Sequence, residues 1–168
     1  MSLKDDIARL IVQEQRLRFA HFNEGDAWRL GSQMHAAAEA RKLPFVIDIR
    51  LANRPLFYSA LPGSDADNPE WVRRKSNVTL RYCKSSYRFG RELLDKGVAV
   101  GRERGTDPID YAPHGGSFPV HIEGTGCVGA ITVSGVPQRE DHNFVVEQLC
   151  EHLGVPHADV ALGPETPA

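Results

Sequence analysis

Two pairs of apolar segments, each joined by a short turn, constrain the fold of this chain more than any other feature. The first pair, residues 45–51 and 56–61, is joined by Asn53-Arg54-Pro55, and the second pair, residues 118–123 and 127–134, by a Gly-Thr-Gly turn. Strand-length segments around turn residues predict β-hairpins, whose strands are antiparallel. Helical segments separate the hairpins and no strand–helix–strand unit recurs, so we predict an α+β protein.

The remaining segments carry apolar residues at helical spacing. Helices are predicted at residues 2–17, 23–42, 68–82, 86–96 and 137–153. We predict a short strand at Arg18–Phe22, which with the two hairpins gives a central antiparallel sheet of about five strands flanked by helices. The segment 101–116 is rich in glycine, proline and aspartate and should be mostly loop.

No linker or internal repeat divides the chain, and 168 residues are enough for one domain. We therefore expect a single domain at residues 1–154. The segment that follows, residues 155–168, is rich in proline and alanine and is expected to be a flexible tail.

The composition excludes several classes of protein. A net charge of −2 argues against bulk electrostatic affinity for nucleic acid or an anionic membrane. No apolar run approaches the roughly 18 residues of a membrane-spanning helix, and the start of the chain lacks the apolar core of a signal peptide. The three cysteines form no CxxC pair and the histidines no HxH, HxxxH or HExxH pair, so we expect neither a disulfide framework nor a protein-built metal site. We predict a cytoplasmic protein.

The segment from Trp71 to Arg91 contains seven basic residues and no acidic one. In a chain of negative net charge this asymmetry indicates an anion site, to which Arg73, Arg74 and Arg88 would supply charge for a phosphate or carboxylate. A solvated helix face, or arginines paired with acids of another subunit, would produce the same pattern. Aromatic residues interleave with the basic ones, but at helical spacing they are more often core than a platform for RNA bases.

The loop before the second hairpin contains His114, Gly115, Gly116 and Ser117. Adjacent glycines permit positive φ angles and let the backbone approach a ligand or another backbone closely. Ser117 and the local N–H groups could form an anion nest, with His114 as an acid, a base or a ligand. The alternative is a tight turn whose histidine is merely exposed.

A Ser134–His142–Asp141 triad can be written near the end of the chain. Ser134 is not in a GxSxG elbow, and adjacent residues of one helix point in different directions, so we do not expect this triad to form. An enzyme would instead use His114 as general base, with Ser117 or backbone amides holding an oxyanion.

Two long motifs resemble a known protein family. They are WVRRKSNVTLRYCKSSYRFG at residues 71–90 and HGGSFPVHIEGTGCVGAITVSGVPQREDHNFVVEQL at residues 114–149. They are similar to the haem-degrading-domain superfamily (GlcG/HbpS-like proteins and the C-terminal domain of PduO-type proteins), and within it to the UPF branch. The similarity covers nearly the whole chain. The resemblance implies a profilin-like fold and symmetric homo-oligomers.

The resemblance also makes haem a candidate cofactor. Haem binding, and in some members slow haem degradation or corrinoid association, belongs to other branches of this superfamily. Where those relatives carry small Ala- and Thr-rich helix residues, this chain has the basic segment, and no haem ligand can be matched residue by residue.

The leading hypothesis is a ligand-binding domain. A small anionic molecule would lie against residues 114–117, with Arg73, Arg74 and Arg88 supplying charge, and the propionates of haem would suit these arginines. The rival hypothesis is an assembly or scaffold protein, in which the basic helix and the glycine-rich hairpin build oligomer contacts without a small ligand.

Overall fold

A computed structural model describes residues 1–165 of the chain. Within them, five α-helices and four β-strands follow the order ααββααββα, which confirms the predicted α+β class. The elements are α1 (Leu3–Arg16), α2 (Glu24–Ala40), β1 (Val46–Leu51), β2 (Arg54–Ala60), α3 (Asn68–Tyr82), α4 (Ser86–Asp95), β3 (Ser117–Ile122), β4 (Gly126–Ser134) and α5 (Gln138–Leu153). None of the helices in this part of the chain combines the length and apolar content needed to cross a membrane.

The first two helices begin at capping boxes. Ser2 Oγ accepts a hydrogen bond from the Asp5 N–H, while the Asp5 carboxylate accepts one from the Ser2 N–H. Asn23 and Asp26 repeat the arrangement at the start of α2. These reciprocal bonds satisfy N–H groups that lack partners within the helix, so they fix where each helix starts.

The four strands form one antiparallel sheet in the order β2-β1-β4-β3. Both predicted hairpins are present, as β1–β2 and β3–β4. The central pair, β1 and β4, joins the hairpins, with a register that runs from Val46 opposite Ser134 to Leu51 opposite Gly129.

The predicted sheet of about five strands is wrong, because Arg18–Phe22 does not form a strand. Phe19 makes a single bridge to the sheet: its N–H donates to the His121 carbonyl oxygen (2.8 Å), and its own carbonyl oxygen accepts from the Glu123 N–H (2.9 Å). Directly after this segment, Asn23 caps α2. The chain therefore turns into α2 before the residues after Phe19 can pair further with β3.

The two faces of the sheet differ in chemistry. One face carries the apolar core, in which Ile47 and Ile131 pack with buried residues of α2 and α5. On the opposite face, beneath α3, Thr132 and Ser134 are buried, and Thr132 Oγ1 lies 2.9 Å from Ser76 Oγ. Buried polar groups need internal partners, so this side of the sheet holds a polar network rather than an apolar layer.

The segment after α5 packs against α1. Val160 is fully buried in the apolar core, and its carbonyl oxygen accepts a hydrogen bond from Gln13 Nε2 (2.9 Å). The core therefore extends past residue 154, where we expect the domain to end. Residues 166–168 of the expected flexible tail lie outside the described part of the chain.

Candidate functional site

A pocket of about 280 Å³ opens between α3, the loop before β3 and the start of α5. It is lined by Asn68, Trp71, Lys75, His114, Ser134, Gly135, Val136, Gln138 and Asp141. The two motif segments, 71–90 and 114–149, thus meet at one cavity that is lined by both polar and apolar groups.

A buried ion pair belongs to this pocket. Lys75 Nζ lies 2.6 Å from Asp141 Oδ2, and the two side chains are only 4% and 2% exposed. Lys75 also donates to the Val133 carbonyl oxygen (3.3 Å), and Asp141 Oδ1 accepts from the Val136 N–H (3.1 Å). These contacts tie α3 to the end of β4 and to the first turn of α5.

Burial moves both members of this pair toward their uncharged forms. Removal from water lowers the pKa of Lys75 and raises the pKa of Asp141, against the opposing attraction between the two charges. The proton shared by Lys75 and Asp141 is therefore held less firmly on Lys75 Nζ than it would be in a solvent-exposed pair.

His114 stands at the mouth of the pocket. Its ring packs edge-on against Trp71, with 5.3 Å between ring centroids, and the guanidinium of Arg74 lies 4.2 Å from the Trp71 ring centroid. Burial against these neighbours lowers the pKa of His114, and the positive charges of Lys75 and Arg74 lower it further. We therefore expect a neutral imidazole at pH 7.

Gly115 and Gly116 are required by close backbone contacts. A Cβ on Gly115 would lie 2.0 Å from the Gln138 carbonyl oxygen, and one on Gly116 would lie 2.4 Å from that of Val133. Gly116 also has a φ of +127°, which residues with a side chain rarely adopt. The glycines therefore let the loop press against the backbone of α5 and β4, which holds His114 in place.

Ser117, the predicted member of an anion nest, is fully buried and does not line the pocket. Its Oγ accepts a hydrogen bond from Thr132 Oγ1 (2.8 Å), and its N–H donates to Ser86 Oγ (3.1 Å). The hydroxyl is engaged in the polar network between the sheet and the helices above it.

The structure separates the three predicted arginines. Only Arg74 lies beside the pocket, against Trp71. Arg74 Nε also lies 3.7 Å from Glu70 Oε1. Arg73 and Arg88 are paired more closely with carboxylates of their own chain, at 2.7–2.9 Å: Glu70 and Asp110 for Arg73, and Glu14 and Glu92 for Arg88. Two of these acids, Glu70 and Glu92, directly flank the acid-free segment, so its charge is largely neutralised within the fold.

The side chains of Ser134, His142 and Asp141 do not form a triad. Asp141 is held in its ion pair, His142 Nε2 lies 2.8 Å from Gln13 Oε1, and Ser134 Oγ lies 3.5 Å from Asn68 Nδ2. Among residues 1–165, no three His, Cys, Asp or Glu side chains converge as a metal ion would require.

The sequence pattern does not identify Lys75 and Asp141 as a site. Lys75 falls on a helical stripe with Trp71 and Val78, and its partner lies 66 residues away in the acidic first turn of another helix. The available signal is a lysine at a core position of a helix, because a lysine is almost never fully buried without a paired carboxylate.

Comparison with known proteins confirms the resemblance that the motifs carry. A family model described as haem-degrading protein, HbpS-like, matches residues 22–150. A UPF0303 protein of Rhizobium meliloti (strain 1021) is 49% identical over 157 residues, which cover 94% of this chain and 96% of that protein.

Two solved structures share the fold. The crystal structure of the Ybr137w protein matches with a TM-score of 0.78 and 30% identity, over 88% of this chain and 87% of that one. The crystal structure of a complex of PduOC with haem matches with a TM-score of 0.65 and 16% identity, over 78% of this chain and 94% of that one.

Proposed function

This chain belongs to the HbpS-like family of haem-degrading proteins, and we propose that it is a ligand-binding domain whose pocket beside α3 and α5 takes a small anionic molecule. The observation that carries the proposal is the electrostatic environment of His114. Burial lowers its pKa and the charges of Lys75 and Arg74 lower it further, while Asp141, the acidic side chain among the described lining residues, is already paired. The part of this effect that comes from the two positive charges favours an added negative charge, whereas burial by itself does not.

The other groups of the pocket suit a short carboxylate. Asn68, Ser134 and Gln138 bring neutral polar groups that can donate hydrogen bonds, and Trp71 provides an aromatic wall. A few polar groups beside apolar surface are typical of small-molecule sites. The cavity of about 280 Å³ lies just below the range of roughly 300–1,000 Å³ for such sites, so the ligand should be a small metabolite.

We propose that haem is not the ligand of this pocket. A porphyrin needs more room than a cavity of this size provides, and Arg73 and Arg88, which would suit its propionates, are occupied by carboxylates of the chain. Hemin added to the protein should therefore give no saturable Soret band that depends on His114.

Two adjacent arginines provide a matched test of the anion proposal. Titration calorimetry with a panel of small mono- and dicarboxylates should show saturable binding that Arg74→Ala weakens roughly tenfold, since a charged partner of the ligand is lost. Arg73→Ala should leave binding unchanged, because Arg73 is directed to Glu70 and Asp110. Equal effects of the two substitutions would place the anion outside this pocket.

We also propose that the protein is a homo-oligomer, because the edge strand β2 lies beside exposed aromatic side chains. Trp28 and Tyr58 are 66% and 52% exposed, and Trp28 packs edge-on against Phe57. Unpaired strand edges and exposed aromatic groups are typical of protein interfaces.

Sedimentation velocity tests the oligomer proposal. The wild type should sediment as an oligomer, and the double substitution Trp28→Arg and Tyr58→Arg should reduce it to a smaller species while carboxylate binding persists. A monomeric wild type would contradict this proposal and with it the scaffold hypothesis.

A further inference from the structure

Lys75 differs from the other lysines of the chain. The sequence contains five lysines, of which Lys75 is buried and lines the pocket. The others, Lys4, Lys42, Lys84 and Lys96, are exposed or partly exposed. A desolvated amine that borders a cavity is the arrangement in which lysine acts as a nucleophile toward carbonyl compounds.

Asp141 gives this amine a proton acceptor. Its Oδ2 lies 2.6 Å from Lys75 Nζ, and burial lowers the pKa of the lysine while it raises that of the carboxyl group. Transfer of one proton along this hydrogen bond leaves an uncharged amine with a free lone pair, which is the nucleophilic form of lysine.

Gly116 packs closely against the amine. A Cβ at this position would lie 2.9 Å from Lys75 Nζ, so any larger residue would crowd the nitrogen. Trp71 and His114 line the same cavity. Lys75 lines this cavity with them, so a molecule held there lies beside the amine.

We propose that Lys75 condenses with the carbonyl group of a small 2-oxo acid bound in this pocket and forms an imine. This inference rests on the proposed function, because the carboxylate of the 2-oxo acid would be the anion that the pocket holds. In such an acid the carbonyl carbon is bonded directly to the carboxylate, so a small cavity that holds one group also brings the other close to Lys75.

The step is redox-neutral and its atoms balance. After the ammonium proton moves to Asp141, the nitrogen lone pair attacks the carbonyl carbon, a C–N bond forms, and the oxygen takes the proton back from Asp141. Asp141 then removes a second proton from nitrogen and delivers it to the hydroxyl group. The C–O bond breaks, water leaves, and the protonated imine retains its positive charge beside the Asp141 carboxylate, so the buried pair is preserved.

Reductive trapping tests this proposal on the full, unmodified chain. Incubation with pyruvate and sodium cyanoborohydride, followed by peptide mapping, should convert Lys75 to its carboxyethyl derivative at least tenfold faster than any of the other four lysines. The rate should saturate with pyruvate, and lactate, which lacks the ketone, should compete. Equal labelling of all five lysines, or none at Lys75, would overturn the proposal.

Calorimetry with lactate separates this inference from the function on which it rests. If lactate binds in an Arg74-dependent manner but Lys75 is not trapped, the pocket holds anions and the imine proposal is wrong. If neither lactate nor pyruvate binds, the imine proposal is wrong, and the panel of mono- and dicarboxylates decides the proposed function separately. The control variant Lys96→Arg changes an exposed lysine outside the pocket, so it should leave both lactate binding and the labelling of Lys75 unchanged.

Discussion

His142 is completely buried, whereas His114 stands at the mouth of the pocket. The His142 ring lies 5.1 Å from the ring of Tyr87, measured between centroids, and its Nε2 lies 2.8 Å from Gln13 Oε1. Burial lowers the pKa of His142 to about 3, and the charge of Arg139 contributes in the same direction. The imidazole is therefore uncharged in the folded protein throughout the range in which a solvent-exposed histidine titrates.

We expect this residue to make stability depend on pH. Below about pH 6.5 the unfolded chain binds a proton at His142, whereas the folded protein does not until about pH 3, so stabilisation present above pH 6.5 is lost as the pH falls. Between pH 6.5 and 5 the loss should be about 2 kcal/mol.

Urea unfolding at several pH values checks this expectation. The His142→Gln variant should show a correspondingly shallower loss of unfolding free energy on acidification than the wild type, because glutamine does not titrate. The same pH dependence in both proteins would show that His142 is not the group responsible.

At the scale of elements, α3 and α5 are joined by the buried pair Lys75–Asp141. Removing one partner of a buried pair leaves an uncompensated charge, which typically costs about 3–5 kcal/mol. We therefore expect Asp141→Asn to lower the free energy of unfolding by an amount near the bottom of that range, measured by urea denaturation at pH 7. The exposed pair between Arg41, at the C-terminal end of α2, and Glu147 of α5 is the control: Arg41→Ala should cost less than about 1 kcal/mol. Similar costs for both variants would mean that the buried pair does not clamp the helices.

Elements with strong local signals could be predicted from the sequence. The two hairpins follow from turn residues between apolar segments, and the helices from apolar periodicity and caps such as Ser2 and Asn23. The segment Arg18–Phe22 has the composition of a strand, but the cap at Asn23 turns the chain before it can pair along its length. Local composition cannot reveal such competition between neighbouring elements.

At the scale of the whole molecule, the site depends on contacts between residues far apart in the chain. The glycines and His114 could be found because their chemistry is local. The Lys75–Asp141 pair could not, and neither could the pairing of Arg88 with Glu14, 74 residues away. The arginine cluster therefore predicts more unpaired positive charge than the folded protein has. The lysine at a core helix position, by contrast, does not by itself indicate that a pocket lies beside it.

The most direct test of the account is the fluorescence of Trp71 during titration with small carboxylates. The chain has two tryptophans, and the Trp28→Phe variant leaves Trp71, which lines the pocket, as the single reporter. We predict a saturable change in emission for at least one mono- or dicarboxylate, with a midpoint shifted to higher concentration by Arg74→Ala and unaffected by Arg73→Ala. Emission that stays constant while calorimetry records carboxylate binding would place the ligand elsewhere and contradict the account.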